Sequence, residues 1–347
     1  MKMKKGLAII IAAILTLSLL AACGTPSSST APADSTAEST TNDAATSTES
    51  TADSGRQLVI GVSQPHSTSA WRILQTDSVN FALEAAGYKV IYTDAQNNTQ
   101  KQVADVEDIL AQNPDYLVIS PREEDGLVPA IEAAKTAGVP VILLDRKVKG
   151  EAGVDYVTYV GSDYVAAGEA VANWLNEEFD GVCNIVEIAG TAGSTAAIER
   201  SQGFRQGIEG KDGLVLLASQ VGDMKRVEAQ KAMENMIQAH GESIDAVFCQ
   251  SDEMAYGAVQ ALNIHGIDPG SIKICTMDGL QETLETIVAG DIAMSMYNNP
   301  DFGPYVVDII QRLEAGETLD TWIKVENMVF DSANAQQYLE EIYGVTP

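Results

Sequence analysis

Short apolar runs alternate with longer amphipathic stretches from residue 57 onward. The runs are rich in Val, Ile and Leu and cover 58–62, 89–92, 116–119, 141–144, 156–160, 184–188, 214–217, 246–249 and 272–275. Continuous apolar runs predict strands that are covered on both faces, as in parallel sheets. Helical patterns lie between them, for example over 71–86, 101–112, 165–178 and 226–240. The alternation predicts an α/β fold made of two doubly wound parallel-sheet lobes.

The first 22 residues have the pattern of a secretory leader. Lys2, Lys4 and Lys5 precede an apolar run over 7–20 that is too short to span a membrane comfortably. Leu20-Ala21-Ala22-Cys23 closes this run and places a cysteine where lipoprotein processing requires one. Acylation of Cys23, palmitate included, would attach the chain stably if two or more acyl chains are added. An uncleaved signal-anchor helix is the alternative. We therefore expect a bacterial lipoprotein on the outer face of the cell membrane, away from cytosolic ATP and NAD.

Residues 23–55 follow the leader and, after the cysteine, are almost wholly Ser, Thr, Ala, Asp, Glu, Pro and Gly. Such a segment cannot offset the entropy of ordering, so we expect a flexible tether. Loss of the leader removes three of the 21 basic residues and none of the 49 acidic ones, which moves the net charge from −28 to −31. This charge argues against nucleic-acid binding and against lying flat on anionic lipid, and a solvated acidic surface explains it.

Three cysteines remain after Cys23, and each lies in an apolar run, at positions 183, 249 and 275. Their spacing matches no zinc pattern, so buried free thiols are expected, with a bridge between Cys249 and Cys275 left open. The histidines are scattered along the chain, as His66, His240 and His265. We therefore expect no metal, no cofactor and no catalytic residue.

Polar and aromatic side chains follow the predicted strands in both halves. In parallel sheets, ligands bind outside the carboxyl ends of the strands, so two facing lobes would form a cleft there. The residues at these ends are Gln64, His66, Trp71, Arg72, Asp145, Arg146, Arg200, Ser251, Asp252, Asp278 and Asn298. A Trp face suits the C–H side of a sugar ring, while Arg donors and Asp acceptors together satisfy hydroxyls. The pattern indicates a site for a small polyhydroxylated molecule.

Each of these side chains also has a purely structural interpretation. Trp71 fits a core position, Asp145 and Asp278 fit turns after strands, and Asp252 fits a helix cap. The glycine-containing segment 190–195 lacks the lysine of a phosphate-binding loop, so close packing at the mouth of a cleft is expected there. The recurrence of polar strand ends in both halves is what favours a binding site.

The segment from about 57 to 345 resembles the type I solute-binding proteins of sugar ABC transporters, which include the ribose and galactofuranose binders. The matching pieces are Gly61-Val62-Ser63-Gln64, Ser69-Ala70-Trp71-Arg72, residues 139–146, Gly190-Thr191-Ala192-Gly193-Ser194, residues 200–204, Ser251-Asp252-Glu253-Met254-Ala255 and Met277-Asp278-Gly279. The Trp-Arg and Asp-Arg pairs are more similar to the galactofuranose branch than to the ribose branch, which stacks its sugar on phenylalanines.

The resemblance implies a two-lobed clamp with three hinge strands, one lobe over 56–162 plus 300–322 and the other over 163–299 plus 323–347. It also implies which residues bind the ligand. Trp71 would stack on the sugar, and hydroxyls would be bound by Arg72, Asp145, Arg146, Arg200 and Asp278. Asn298 would lie near a hinge, and Gln64 and Ser251 complete the expected set. Relatives usually carry Asn where this chain has Ser251, a shorter side chain that leaves room or admits water.

The expected function is that of a non-enzymatic, lipid-anchored receptor that acts as a monomer. It would capture a galactofuranose-like hexose or a pentose by hinge closure and deliver it to an ABC permease. A sensor that presents bound sugar to a chemoreceptor or receptor kinase is the alternative. A carbohydrate-active enzyme is disfavoured because Arg neighbours are expected to hold Asp145 and Asp278 ionised. A transcription regulator is disfavoured by the leader and by the lack of a basic DNA-binding head.

Overall fold

The structure, a computed structural model, describes residues 56–344. The predicted leader over 1–22, the anchor Cys23 and the tether over 23–55 lie outside these residues. Within 56–344, no helix combines the length and the apolar content that crossing a membrane requires.

The strands of residues 56–344 form two six-stranded sheets, one for each lobe. The first sheet has β1 (Val59–Gln64), β2 (Lys89–Asp94), β3 (Tyr116–Ile119), β4 (Val141–Leu144), β5 (Thr158–Ser162) and β11 (Trp322–Val325), in the order β11-β5-β4-β3-β1-β2. The second has β6 (Cys183–Ala189), β7 (Leu214–Val221), β8 (Ala246–Cys249), β9 (Lys273–Asp278), β10 (Met294–Asn298) and β12 (Asn327–Asp331), in the order β12-β10-β9-β8-β6-β7. Only the β10–β12 pair among these is antiparallel. The predicted fold class is confirmed.

Helices cover both faces of each sheet and connect the parallel strands. They are α1 (Ala70–Ala85), α2 (Thr99–Leu110), α3 (Val128–Ala137), α4 (Tyr164–Glu178), α5 (Thr195–Ile208), α6 (Arg226–His240), α7 (Asp252–Ile264), α8 (Gln281–Ala289), α9 (Gly303–Glu314) and α10 (Ala335–Tyr343). Gly138 ends α3 with φ +71°, a left-handed conformation that glycine adopts without strain. Helices α4 and α5 pack closely because Gly203 has no side chain: a Cβ there would lie 1.9 Å from the Val165 carbonyl oxygen.

The chain passes between the two sheets three times, after β5, after β10 and between β11 and β12. The third passage differs from the expected boundary at 322/323. Trp322–Val325 pairs in parallel with Tyr159–Ser162 of β5, so the whole of β11 belongs to the first lobe and the second lobe resumes after Val325. The reason is that the apolar face of β11 packs on the first core, where Val325 is buried.

The three cysteines among residues 56–344 are buried free thiols. Cys249 ends β8 and Cys275 lies on the neighbouring strand β9. Although the two strands are adjacent, the two cysteines do not form the bridge that the sequence left open. Burial raises the pKa of all three thiols, which keeps them protonated and unreactive at neutral pH.

Candidate functional site

A buried cavity lies between the lobes, at the carboxyl ends of the strands. Its lining is supplied by both lobes and consists of His66, Ser69, Trp71, Arg72, Asp145, Arg146, Ala196, Arg200, Met224, Ser251, Asp278 and Asn298. The empty space, which includes its open mouth, is about 380 Å³. The structure therefore brings eight of the nine predicted ligand-binding residues to one small cavity.

Four helices begin at this cleft, and each has a polar side chain at its N-terminus. The caps Ser69, Asp163, Ser194 and Ser251 accept hydrogen bonds from backbone N–H groups in the first turns of α1, α4, α5 and α7. These caps fix where each helix starts and therefore where its first side chains point. Trp71 and Arg72 are the second and third residues of α1, and Ala196 is the second residue of α5.

Asp145 is the charged centre of the first lobe's side of the cavity. Its Oδ2 accepts a hydrogen bond from Arg72 Nη2, its Oδ1 accepts one from Tyr164 Oη, and Arg146 Nε lies 3.5 Å from Oδ2. Burial alone would raise the pKa of this carboxyl, but Arg72, Arg146 and the bond from Tyr164 hold it below its usual range. Asp145 is therefore an ionised acceptor, as expected from its Arg neighbours, and hydrogen bonds to both of its oxygens fix its orientation.

Trp71 serves both as cavity wall and as part of the core. Its ring meets Phe302 edge to face with centroids 6.0 Å apart, and the Arg72 guanidinium carbon lies 4.9 Å from the Trp71 ring centroid. The indole Nε1–H donates to the backbone carbonyl of Asn298 at 2.5 Å. Trp71 therefore packs in the core and also forms part of the cavity wall.

Arg200 and Asp278 form the second lobe's side of the cavity. Arg200 Nη1 donates to the Gln250 carbonyl at 2.6 Å, and its Nη2 lies 4.0 Å from Asp278 Oδ1. Asp278 Oδ2 accepts from the backbone N–H of Asp252 at 3.4 Å. Asp145 and Asp278 both have positive φ angles, 64° and 116°. Such angles are uncommon outside glycine and frequent at functional sites.

Asp252 changes the electrostatics expected for Asp278. Asp252 is fully buried and accepts from the Leu280 backbone N–H at 2.9 Å and from Ser295 Oγ at 3.3 Å. Burial and the neighbouring Asp252 raise the pKa of Asp278 well above its ordinary value. These causes oppose the expectation that Arg neighbours keep Asp278 ionised, since burial and Asp252 raise this pKa more than Arg200, 4.0 Å away, lowers it.

The remaining predicted residues that line the cavity are Arg146, Ser251 and Asn298. Arg146 Nη1 donates to the Arg122 carbonyl at 3.1 Å, and burial next to Arg72 lowers the pKa of Arg146 to about 10, so it stays charged at neutral pH. The Ser251 hydroxyl caps α7 at 3.4 Å from the Met254 N–H. Asn298 Oδ1 accepts from Ser162 Oγ at 2.8 Å, a bond that joins the ends of β10 and β5 where the chain passes between lobes.

Gln64 does not line the cavity, contrary to the expectation. Strand β1 runs through Gln64 and turns its side chain toward α1, where Nε2 lies 3.3 Å from Gln75 Oε1. The same Gln75 oxygen accepts from Arg72 Nη1 at 2.5 Å and from Ser120 Oγ at 3.2 Å. Gln64 therefore belongs to a buried amide network behind Arg72. It affects the cavity only through the Arg72 side chain, which the same network holds.

Four cavity residues lie outside the predicted ligand-binding set: His66, Ser69, Ala196 and Met224. His66 follows β1 and is neutral, since burial and then Arg72 and Arg146 lower its pKa to about 3. Its Nδ1 accepts from Thr68 N at 3.4 Å, which makes Nε2 the protonated nitrogen and a donor. Met224 follows β7, whose apolar run seemed to end at 217 although the strand extends to Val221. Applying the strand-end rule to the true end of β7 would have found Met224.

The lobes contact each other around the cavity. Glu124 N donates to the Gly193 carbonyl at 2.9 Å, Lys147 N donates to Thr195 Oγ1 at 2.9 Å, and Asn97 Nδ2 lies 3.4 Å from Asp223 Oδ2. Each bond joins a loop of the first lobe to a strand-end segment of the second. The segment that contains Gly193 and Thr195 thus lies at the cleft mouth, where close packing was expected in place of phosphate binding. The structure has its cleft closed.

This fold and this interlobe cavity define a sugar-binding clamp, and comparison with known proteins gives its family. The family model of the periplasmic binding protein domain matches residues 60–318. The chain belongs to that family and is a sugar-binding periplasmic protein of the ribose/galactofuranose group. It is 31% identical to the galactofuranose-binding protein YtfQ of Escherichia coli over 76% of this chain and 84% of that protein. It is 30% identical to the ribose import binding protein RbsB of Bacillus subtilis over 78% and 88%.

Solved structures agree with this assignment. The arabinose-transporter binding protein of Shewanella sp. ANA-3, bound to α- and β-L-arabinofuranose, has a TM-score of 0.78 and 31% identity and covers 82% of this chain and 95% of its own. A galactofuranose-binding protein has a TM-score of 0.79 and 29% identity and covers 83% and 99%. These relatives are binding proteins rather than enzymes, which supports the non-enzymatic expectation.

Proposed function

We propose that this protein is an extracytoplasmic, lipid-anchored solute-binding protein that captures one monosaccharide, a galactofuranose-like hexose or a pentose, and delivers it to an ABC permease. The observation that carries the proposal is an interlobe cavity in which one aromatic wall, three guanidinium groups and two carboxyl groups, supplied by both lobes, face one another.

The cavity chemistry matches hydroxyl recognition. Asp145 is an ionised acceptor, while Arg146 and Arg200 are charged donors, and the Nε–H of Arg200 is buried without a hydrogen-bond partner in residues 56–344. A hydroxyl both donates and accepts, so a polyhydroxylated ring can pair with both kinds of group. Ligands without these hydroxyls would leave buried charges unpaired, which gives selectivity. The furanose preference rests on the arabinofuranose and galactofuranose named for the related structures.

The origin of the cavity wall supports hinge closure. Trp71 and Asp145 come from one lobe, whereas Arg200 and Asp278 come from the other. A sugar that contacts both sets binds the closed form more tightly than the open form and shifts the equilibrium toward it by that difference in affinity. The closed form would then be recognised by the permease, and the tether after Cys23 would keep the clamp near it.

Calorimetric titration tests this proposal. We expect D-galactose, L-arabinose, D-ribose or D-fructose to bind the full chain with one site per molecule. Small-angle scattering should then show a smaller radius of gyration on saturation with the same sugar. Absence of heat from all four sugars would contradict the proposed function, and binding without compaction would contradict hinge closure.

A sensor role is the second candidate, favoured by one observation. The fructose-binding periplasmic domain of the hybrid two-component system BT1754 has a TM-score of 0.78 and 27% identity to this chain. The same sugar-binding clamp is compatible with transport and with sensing. Neighbouring genes for a permease and an ATPase support transport, whereas a neighbouring receptor kinase without them supports sensing.

A further inference from the structure

Tyr164 lies beneath the cavity, where it contacts predicted ligand-binding residues of both lobes. It is the first residue of α4, two positions after β5 ends at Ser162, so it stands directly after the first passage between lobes. Only 1% of its surface is exposed, and it is not among the residues that line the cavity. A ligand in the cavity would therefore not touch it.

The hydroxyl of Tyr164 acts on the first lobe. It donates to Asp145 Oδ1, while the other oxygen of the same carboxylate accepts from Arg72. The two bonds together fix the rotation of the Asp145 carboxylate. Burial raises the pKa of Tyr164 well above its ordinary value, so the hydroxyl keeps its proton and remains a donor at every physiological pH.

The ring of Tyr164 acts on the second lobe. The guanidinium carbon of Arg200 lies 4.5 Å from the ring centroid, in the geometry of a cation–π contact. Arg200 Nη1 is held at the same time by the Gln250 carbonyl at 2.6 Å. The ring and this carbonyl leave Arg200 little rotational freedom, so its remaining donors keep a fixed direction.

We propose that Tyr164 is a positioning residue that sets the relative placement of Asp145 and Arg200 across the closed cleft, and thereby sets sugar affinity without contacting the sugar. This inference rests on the proposed function. Because the Tyr164–Asp145 bond joins the two lobes of the closed form, its loss acts mainly on how fast the closed complex opens.

The test compares Tyr164→Phe with a matched control in the full chain. Phe keeps the ring beneath Arg200 and removes only the hydroxyl bond to Asp145. The control is Tyr256→Phe, which removes another buried hydroxyl of the second lobe, bonded to Thr283 Oγ1 at 2.6 Å and absent from the cavity lining. Both variants lose one buried hydrogen bond, so both unfolding midpoints should fall, and that of Tyr164→Phe should fall further because its acceptor is charged.

The probe is whichever of D-galactose, L-arabinose, D-ribose or D-fructose binds the unmodified chain. We expect Tyr164→Phe to raise Kd about tenfold, as loss of a hydrogen bond to a charged group does, with most of the change in the dissociation rate. Tyr256→Phe should leave Kd within twofold. Equal Kd values for Tyr164→Phe and the unmodified chain would overturn the inference, as would an equal loss in both variants. If the unmodified chain binds none of the four sugars, the proposed function fails and the inference fails with it.

Discussion

The indole N–H of Trp71 donates to the backbone carbonyl of Asn298 at 2.5 Å, which joins the aromatic wall of the cavity to the hinge. Trp71 belongs to α1 of the first lobe, and Asn298 ends β10 of the second lobe at the second passage between sheets. The Asn298 amide oxygen accepts from Ser162 at the end of β5, the first passage. One wall residue is therefore linked to two of the three hinge segments.

Replacing Trp71 with Phe should weaken sugar binding about three- to tenfold. Phe retains an aromatic face but leaves the Asn298 carbonyl without its donor, which corresponds to about 0.5–1.5 kcal/mol. Calorimetry measures the change. Trp322→Phe is the matched control, because Trp322 Nε1 also donates to a hinge carbonyl, that of Gly161 at 2.8 Å, but Trp322 does not line the cavity. An equal loss in both variants would show that Trp71 acts only as hinge structure.

Replacing Arg200 with Ala should cost at least about 1–3 kcal/mol of binding free energy, because ligand hydroxyls would be left unpaired in a buried site. Arg312→Ala is the control, since Arg312 pairs with Asp308 and Glu317 on the surface of α9. Titration of both variants with the same sugar checks the prediction. Unchanged affinity in Arg200→Ala would refute its assignment to the ligand.

Replacing Asp145 with Asn should lower the free energy of unfolding by about 3–5 kcal/mol, because Arg72 and Arg146 would lose their buried counter-ion. Urea denaturation without sugar measures this. The exposed pair Asp155–Lys135 gives the control, and Asp155→Asn should leave the unfolding midpoint nearly unchanged. A similar small effect in both variants would mean that the buried pair is not needed for folding.

The ionisation of Asp145 should also make the free energy of unfolding depend on pH. Its pKa in the folded chain lies below its ordinary value, so the unfolded chain binds the proton more readily. The stabilisation is fully present above an unfolded-state pKa of about 3.9 and is lost as the pH falls through the lower folded-state value. The difference in unfolding free energy between the unmodified chain and Asp145→Asn should therefore shrink below about pH 4.

The stability that Asp252 contributes should depend on pH in the opposite direction to that of Asp145. Burial raises its pKa to about 7, so the folded chain retains a proton that the unfolded chain releases near pH 4. Stability then falls as the pH rises from about 4 to about 7 and levels off above that. Asp252→Asn imitates the protonated side chain, so the unmodified chain should lose stability relative to this variant across that range. A difference that does not vary with pH would show that Asp252 is ionised throughout.

Much of this architecture could be predicted from the sequence because it depends on local periodicity. All nine apolar runs are strands, and helix α6 has the expected bounds, since buried strands and amphipathic helices each leave a repeating pattern. The end of β7 was missed because Ala218-Ser219-Gln220 interrupts its apolar run at the edge of the sheet. Met224 was missed with it.

The details of the site depended on contacts that leave no local pattern. The sequence placed Asp145 and Asp278 at strand ends but could not show that Asp252 lies beside Asp278 and raises its pKa. Gln64 fitted the strand-end rule, yet the direction of its side chain depends on the packing of α1 on β1. The contact of Tyr164 with Asp145 exists because two lobes meet, so only the three-dimensional structure reveals it.

A crystal structure of the chain with the sugar identified by calorimetry tests the central claim most directly. We predict one monosaccharide between the lobes, with Trp71 against its ring and with Asp145, Arg200 and Asp278 within hydrogen-bond distance of its hydroxyls. A sugar bound elsewhere, or one that contacts residues of a single lobe only, would contradict the account.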